Sequence, residues 1–309
     1  MESRAESMPA TPDASPSLRW GRTRVDGRTA AYLEAGEGRP VVFLHGWGLS
    51  HRAYRGSVKH LAAMGLRVIA PAMPGFSGSA GLPSDECTLK GYAAWLVALL
   101  DELGVTEPVL LVGHSFGGGV AIVTAHDHPG RVGALVLVNS IGGAVWADNG
   151  ELAKPIGDRP IWDWGLHLSR DLRGAAQLRR VLPAVLTEAI PNIVLDPRSF
   201  WRSARLAREA DLTDELESLR RRGLPVVVVW SPRDRVVTDA SIEALRDALG
   251  DAPTISVPGG HSWLLADPER FGEVMTNVVQ VAERARWLEP AGPLRRWWRG
   301  RHASDVIKQ

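Results

Sequence analysis

The stretch Val109-Leu110-Leu111-Val112-Gly113-His114-Ser115-Phe116-Gly117-Gly118-Gly119 decides the fold of this chain. Val109 to Val112 is a short apolar run, which is typical of a strand buried on both faces. A glycine-flanked turn centred on Ser115 follows, and the apolar run Gly118 to Ala125 then predicts a helix. Serine in so tight a turn adopts a strained backbone, and the flanking glycines let the strand and the helix approach each other. The pattern therefore predicts an exposed Ser115 hydroxyl at the positive end of a helix, where it could act as a nucleophile.

On both sides of this turn, strand-like and helix-like segments alternate. This alternation is typical of a parallel sheet covered by helices. We therefore expect an α/β fold, with a mostly parallel central sheet of about eight strands flanked by helices. The strand-like runs are residues 28–35, 41–44, 66–70, 109–112, 134–138, 225–230 and 254–257, and helical spacing recurs over 89–103 and 268–284.

The alternation is interrupted over residues 141–222, which lack runs of β-branched residues and include several prolines and tryptophans. We interpret this interval as an inserted helical lid over a site at the edge of the sheet. A structural excursion with no part in binding is the alternative. The predicted organisation is a disordered leader (1–18), a core (19–140 and 223–286), the lid (141–222) and a basic, tryptophan-rich tail (287–309).

Composition narrows the class of protein. The 309 residues are 45% hydrophobic and 23% charged, which is typical of a soluble globular protein. A net charge of +1 gives no reason to expect a nucleic-acid partner. The single cysteine, Cys87, excludes an internal disulfide and favours a reducing compartment. Neither a signal segment nor an apolar run long enough to span a bilayer is present. We expect a cytoplasmic enzyme, and composition does not indicate its oligomeric state.

The tail needs a separate interpretation. Residues 294–301 interleave arginine with tryptophan, which suits peripheral contact with an anionic membrane surface. A solvated end without a partner is the alternative.

Four landmarks, in the correct order, resemble the α/β-hydrolase family, in particular its lid-bearing, esterase- or lipase-like serine hydrolases. They are residues 44–47 (Leu-His-Gly-Trp), residues 74–79 (Pro-Gly-Phe-Ser-Gly-Ser), the turn at Ser115, and Asp234 followed by His261. The resemblance implies hydrolysis of a carboxylic ester or similar small, apolar acyl substrate through an acyl-enzyme, with no metal or organic cofactor. Hydrolysis of carbon–carbon bonds, perhydrolysis and a non-catalytic ligand-binding role are alternatives on the same scaffold.

The resemblance also assigns the catalytic roles. Ser115 would be the nucleophile and His261 its general base. Among nine histidines, His261 is the one in a glycine-rich loop at the required place in the chain, whereas His114 lies inside the turn itself and is expected to point away from the nucleophile.

Asp234 would orient His261 and stabilise its charged form. Asp239 is interpreted as a helix cap. The other position at which this fold can place the acid is occupied by Asn139 and Ser140, which carry no carboxylate.

The resemblance implies that the backbone N–H groups of Trp47 and Phe116 form an oxyanion hole. Trp263 and His45 are the candidate substrate-binding residues, and for His45 a structural hydrogen-bonding role is the alternative. The chain departs from many relatives at Ala72 and Ser77, where aspartate and glycine are common. We interpret that departure as a structural variation.

Overall fold

The computed structural model of the chain describes residues 16–143, 185–250 and 252–284. Eight strands form one sheet, and their bounds are β1 Leu18–Val25, β2 Arg28–Ala35, β3 Arg39–Leu44, β4 Leu66–Pro71, β5 Val109–His114, β6 Val132–Val138, β7 Val226–Trp230 and β8 Thr254–Ser256. Their spatial order is β1-β2-β4-β3-β5-β6-β7-β8. β2 is antiparallel to both β1 and β4, and every other pair is parallel. The predicted α/β class with a mostly parallel sheet is confirmed.

Helices follow most of the strands. The helices of the described residues are α1 Arg55–Ala63, α2 Leu89–Glu102, α3 Phe116–Asp127, α4 Ile190–Leu195, α5 Pro197–Glu209, α6 Thr213–Arg221, α7 Asp239–Leu249, α8 Trp263–Ala266 and α9 Pro268–Arg284. A π-helical turn, Val185–Ala189, precedes α4. The predicted helices at 89–103 and 268–284 therefore correspond to α2 and α9.

The sheet separates two apolar layers because successive side chains of a strand point to opposite faces. In β3, Val42 and Leu44 pack with α2, α3, α6 and α7, whereas Val41 and Phe43 pack with α1 and α9. β5 follows the same alternation: Leu111 faces the first layer and Leu110 the second. Both faces of the central strands are thus buried, which explains their continuous apolar sequences.

The sequence analysis missed β1, in which Arg19, Arg22 and Arg24 are exposed and only Val25 is buried, so that it has no apolar run. It forms a hairpin with β2 through Asp26 and Gly27, with φ of 49° and 73°. A two-residue Asp-Gly turn with both φ values positive matches the right-handed twist of a hairpin. The sheet thus begins at Leu18, the last residue of the expected leader.

Several expectations fall partly or wholly outside the described residues. These are leader residues 1–15, lid residues 144–184 with Trp146, Trp162 and Trp164, and the tail 287–309 with its membrane contact. The described part of the insertion contains α4, α5 and α6. Over the ranges that the structure describes, no helix is long and apolar enough to cross a membrane.

Candidate active site

Ser115 lies in the turn between β5 and α3, at φ 53° and ψ −117°. Close packing of the backbone explains the flanking glycines. A Cβ atom at Gly113 would lie 2.5 Å from the carbonyl oxygen of Gly117, and one at Gly117 would lie 2.5 Å from the carbonyl oxygen of Leu44. Either contact is shorter than a carbon atom tolerates, so this turn can form only with glycine at both positions.

Three predicted residues meet at the carboxyl edge of the sheet. His261 Nε2 lies 2.9 Å from Ser115 Oγ, and His261 Nδ1 lies 2.7 Å from Asp234 Oδ2. A carboxylate only accepts hydrogen bonds, so Nδ1–H donates to Asp234, and Nε2 of the neutral ring accepts from the Ser115 hydroxyl. All three residues are buried. This arrangement allows a proton to pass from Ser115 to His261 while Asp234 stabilises the resulting charge.

Asp234 accepts hydrogen bonds from other groups in addition to His261. Its Oδ2 accepts a 2.6 Å hydrogen bond from the Asn139 side-chain amide, and its Oδ1 accepts from the backbone N–H groups of Val236 and Val237. Burial raises the pKa of Asp234, but the adjacent His261 and these donors outweigh burial and leave that pKa below its usual value. Asp234 therefore stays ionised beside His261.

Asn139 stands at the position where this fold can alternatively place its acid. Its backbone φ is 43°, and its side-chain oxygen accepts a 2.9 Å hydrogen bond from the Trp263 indole. Trp263 is only 4% exposed. Trp263 thus orients Asn139 and, through it, Asp234. A direct contact of Trp263 with substrate stays a prediction.

His114 is joined to the loop of His261. Its Nε2–H donates to the His261 carbonyl oxygen at 3.0 Å, and its Nδ1 lies 2.8 Å from the Tyr54 hydroxyl. Burial lowers the pKa of His114 to about 3, so the ring is neutral and Nδ1 accepts from the Tyr54 O–H. The Tyr54 oxygen in turn accepts from the Gly46 N–H at 3.1 Å. The sequence analysis assigned no role to Tyr54 and no contact with His261 to His114, because no local motif marks these contacts.

His45 is fully buried, and both of its ring nitrogens contact the backbone. Nδ1–H donates to the Gly46 carbonyl oxygen at 2.9 Å, and Nε2 accepts from the Met73 N–H at 2.9 Å. Burial lowers the pKa of His45 to about 4, which keeps the ring neutral. These contacts correspond to the structural alternative for His45, and its part in substrate binding stays a prediction.

Phe116 is the first residue of α3, where backbone N–H groups have no partner within the helix. Trp47 follows the loop that His45 fixes. Its indole N–H donates to the Phe200 carbonyl oxygen at 2.9 Å, and its ring lies 4.4 Å from that of Phe200, on α5. The oxyanion role of the Trp47 and Phe116 N–H groups stays a prediction.

A buried carboxylate joins the insertion to the core. Glu188 Oε2 accepts from the hydroxyl of Ser50 and, at 3.2 Å, from that of Ser77. The backbone N–H of Ser77 also donates to Asn192 Oδ1 at 2.9 Å. Ser77 has φ 35°, a conformation that favours glycine. The departure at Ser77 therefore places a hydroxyl against the insertion where a glycine would have none.

The cleft at Ser115 is narrow, about 20 Å³. Small and aliphatic residues line most of it, among them Ile141, Ala207 and Val237, together with the charged Arg208. Trp47, Phe116 and Trp263 are not among the residues that line this cleft. A larger cavity of about 750 Å³, between β1, β2 and the start of α1, is lined by residues other than Ser115. Within the described part of the chain, no three His, Cys, Asp or Glu side chains are grouped closely enough to hold a metal ion.

The chain is similar to several known proteins in sequence and in fold. The chain is 29% identical to a putative non-heme haloperoxidase of Mycobacterium phage D29, over 86% of this chain and 97% of that one. It is also 29% identical to a pimeloyl-[acyl-carrier protein] methyl ester esterase of Aromatoleum aromaticum, over 78% of this chain and 98% of that one. It is 27% identical to a 2-hydroxymuconate semialdehyde hydrolase of a Pseudomonas species, over 82% of this chain and 90% of that one.

A solved bromoperoxidase from Bacillus anthracis has the same fold, with a TM-score of 0.68 and 18% identity, covering 85% of this chain and all of that one. The model of the alpha/beta hydrolase fold matches residues 39–268, which include Ser115, Asp234 and His261. The chain therefore belongs to the alpha/beta hydrolase family of enzymes.

Proposed function

We propose that this enzyme hydrolyses a carboxylic ester or similar acyl substrate through a covalent acyl-enzyme on Ser115. The observation that carries the proposal is the unbroken hydrogen-bond chain from Asp234 through His261 to Ser115, with distances of 2.7 and 2.9 Å. A chain of this kind can activate a serine at neutral pH, because the imidazole accepts the hydroxyl proton as the oxygen attacks.

The residues would act in sequence. Ser115 Oγ attacks the acyl carbon while His261 Nε2 takes its proton, and Asp234 stabilises the imidazolium. The N–H groups of Trp47 and Phe116 hold the oxyanion of the tetrahedral intermediate. His261 then protonates the leaving alcohol, which departs and leaves Ser115 acylated. Water, deprotonated by His261, releases the carboxylic acid and restores the serine.

A serine-directed fluorophosphonate tests the nucleophile. We expect intact-mass spectrometry to show one adduct on the wild-type protein and none on Ser115→Ala. A matched control, Ser140→Ala, removes a neighbouring buried hydroxyl and keeps the adduct. A folded wild-type protein that takes up no label would contradict the proposal and favour a ligand-binding role.

Two other reactions follow from the names of similar proteins. Carbon–carbon bond hydrolysis is favoured by the 2-hydroxymuconate semialdehyde hydrolase, and perhydrolysis by the haloperoxidase. Simple esters, a vinylogous diketone, and acetate with hydrogen peroxide separate the three reactions. We expect the esters to give the highest kcat/KM. A higher value for the diketone, or peracid formation faster than ester cleavage, would assign the alternative.

A further inference from the structure

Arg208, near the end of α5, lines the same cleft as Ser115. The other walls of that cleft include Ile141, Ala207 and Val237, which are apolar. Arg208 is the charged residue of this mostly apolar lining, and its side chain is 27% exposed. A partly buried charge needs a compensating charge or hydrogen bonds.

The described residues give Arg208 little compensation. Its Nε is buried and has no hydrogen-bond partner there. Its ion pair with Glu209 is long, with 4.0 Å between Nη2 and Oε1. The same Oε1 already accepts a 2.8 Å hydrogen bond from Arg205 Nε. Glu209 is therefore the close partner of Arg205, and Arg208 keeps donors that can bind a ligand.

We propose that Arg208 binds a carboxylate of the substrate, so that the preferred substrates are short esters that carry a second, free carboxylate. The inference rests on the proposed ester hydrolysis. The planar guanidinium offers parallel N–H donors that match a carboxylate in geometry and charge. Ser115 and Arg208 line the same cleft, which favours a short chain between the ester and the carboxylate.

Matched ester pairs test this specificity. Monomethyl succinate, glutarate and adipate are compared with methyl butyrate, valerate and hexanoate, which replace the carboxylate by a methyl group. For at least one chain length, we expect the wild-type enzyme to favour the carboxylate ester in kcat/KM by about 10- to 100-fold, the range of a charge-assisted hydrogen bond. Arg208→Gln abolishes that ratio, and Arg208→Lys keeps part of it. Arg202→Gln, at an exposed position of α5 whose side chain contacts Ser84, leaves the ratio unchanged.

Binding without turnover separates this inference from the proposed reaction. We expect calorimetry on Ser115→Ala to show at least 10-fold tighter binding of one carboxylate ester than of its methyl partner, and we expect Ser115→Ala/Arg208→Gln to lose the difference. If these affinities hold but the wild-type enzyme cleaves no ester, the anion site stands and the proposed hydrolysis is wrong.

The opposite results overturn the inference alone. They are cleavage of neutral esters with no preference for the carboxylate at any length, or a preference that survives in Arg208→Gln. Thermal unfolding excludes a purely structural role. Since Arg208→Gln removes a poorly compensated charge, we expect it not to lower the melting temperature. A marked decrease, with the ester ratio unchanged, would assign Arg208 to packing.

Discussion

The imidazole of His114 donates a 3.0 Å hydrogen bond to the backbone carbonyl oxygen of His261. The residue next to the nucleophile therefore supports the loop that carries the proposed base. Through Tyr54, the same imidazole is connected to the Gly46 N–H, beside Trp47. One chain of three hydrogen bonds thus links the nucleophile turn, the proposed oxyanion loop and the histidine loop.

Replacing Tyr54 by phenylalanine tests whether this chain positions the site. The variant leaves the Gly46 N–H and His114 Nδ1 without their buried partner, so we expect a loss of about 1–3 kcal/mol in the free energy of unfolding. A shift of either loop lowers kcat by up to about 100-fold and changes KM much less. Urea unfolding and steady-state ester kinetics measure both effects. Tyr32→Phe, on β2, is the matched control. A stability loss with unchanged kcat would make the chain purely structural.

Asn139 Nδ2 lies 2.6 Å from Asp234 Oδ2, so we predict that the carboxylate beside His261 can be moved from position 234 to position 139. Asp234→Asn gives His261 an amide in place of its carboxylate, and we expect kcat to fall by about 10⁴-fold. The double variant Asn139→Asp/Asp234→Asn places the carboxylate at position 139 instead, beside the atom that contacts His261 in the wild-type protein. We expect kcat of the double variant to exceed that of Asp234→Asn by at least about 10-fold, which corresponds to a decrease of about 1.36 kcal/mol in the activation free energy. Activity no higher than that of Asp234→Asn would show that His261 cannot use a carboxylate from β6.

The backbone conformation of Ser115 predicts an unusual order of stability. At φ 53° and ψ −117°, glycine is less strained than alanine. Both substitutions remove the hydroxyl, so we expect Ser115→Gly to exceed Ser115→Ala by about 1 kcal/mol in the free energy of unfolding. In helix α6, Ser218→Gly should be less stable than Ser218→Ala, because glycine is the poorer helix former. If the alanine variant were the more stable one at position 115 as well as at position 218, the turn would be unstrained.

Three buried histidines predict destabilisation by acid. Burial lowers the pKa from 6.5 to about 4 for His45 and to about 3 for His51 and His114. Between those values and pH 6.5 the unfolded chain binds more protons than the folded one, so stability falls as the pH decreases. Each histidine contributes about 2 kcal/mol to the loss between pH 7.5 and 5. The lowered pKa of Asp234 acts in the same direction at lower pH.

Urea unfolding at pH 7.5 and 5 measures this dependence. His51→Gln removes one of the three groups and should reduce the decrease by about a third. Equal stability of the wild-type protein at the two pH values would contradict the buried neutral state of these rings.

The sequence by itself determined the alternation of strands and helices and the turn at Ser115. These features are local. An apolar run buried on both faces, and glycines forced by close backbone contact at Gly113 and Gly117, are visible within a few residues. The resemblance to the α/β-hydrolase family, which rests on four local landmarks, implied the set Ser115, Asp234 and His261. The hairpin strand β1 was missed because its exposed residues, which include three arginines, leave no apolar run, although the Asp26-Gly27 turn was a usable signal.

Only the tertiary structure decided which residues support that site. His114 and His261 are 147 positions apart, Asn139 and Asp234 are 95 apart, and Glu188 reaches Ser50 across 138. No period or motif connects such positions, because their contact depends on where strand ends and the insertion meet in space. Arg208 is the clearest case. In sequence it is one of several arginines on an amphipathic helix, and the fold alone makes it a lining residue of the Ser115 cleft.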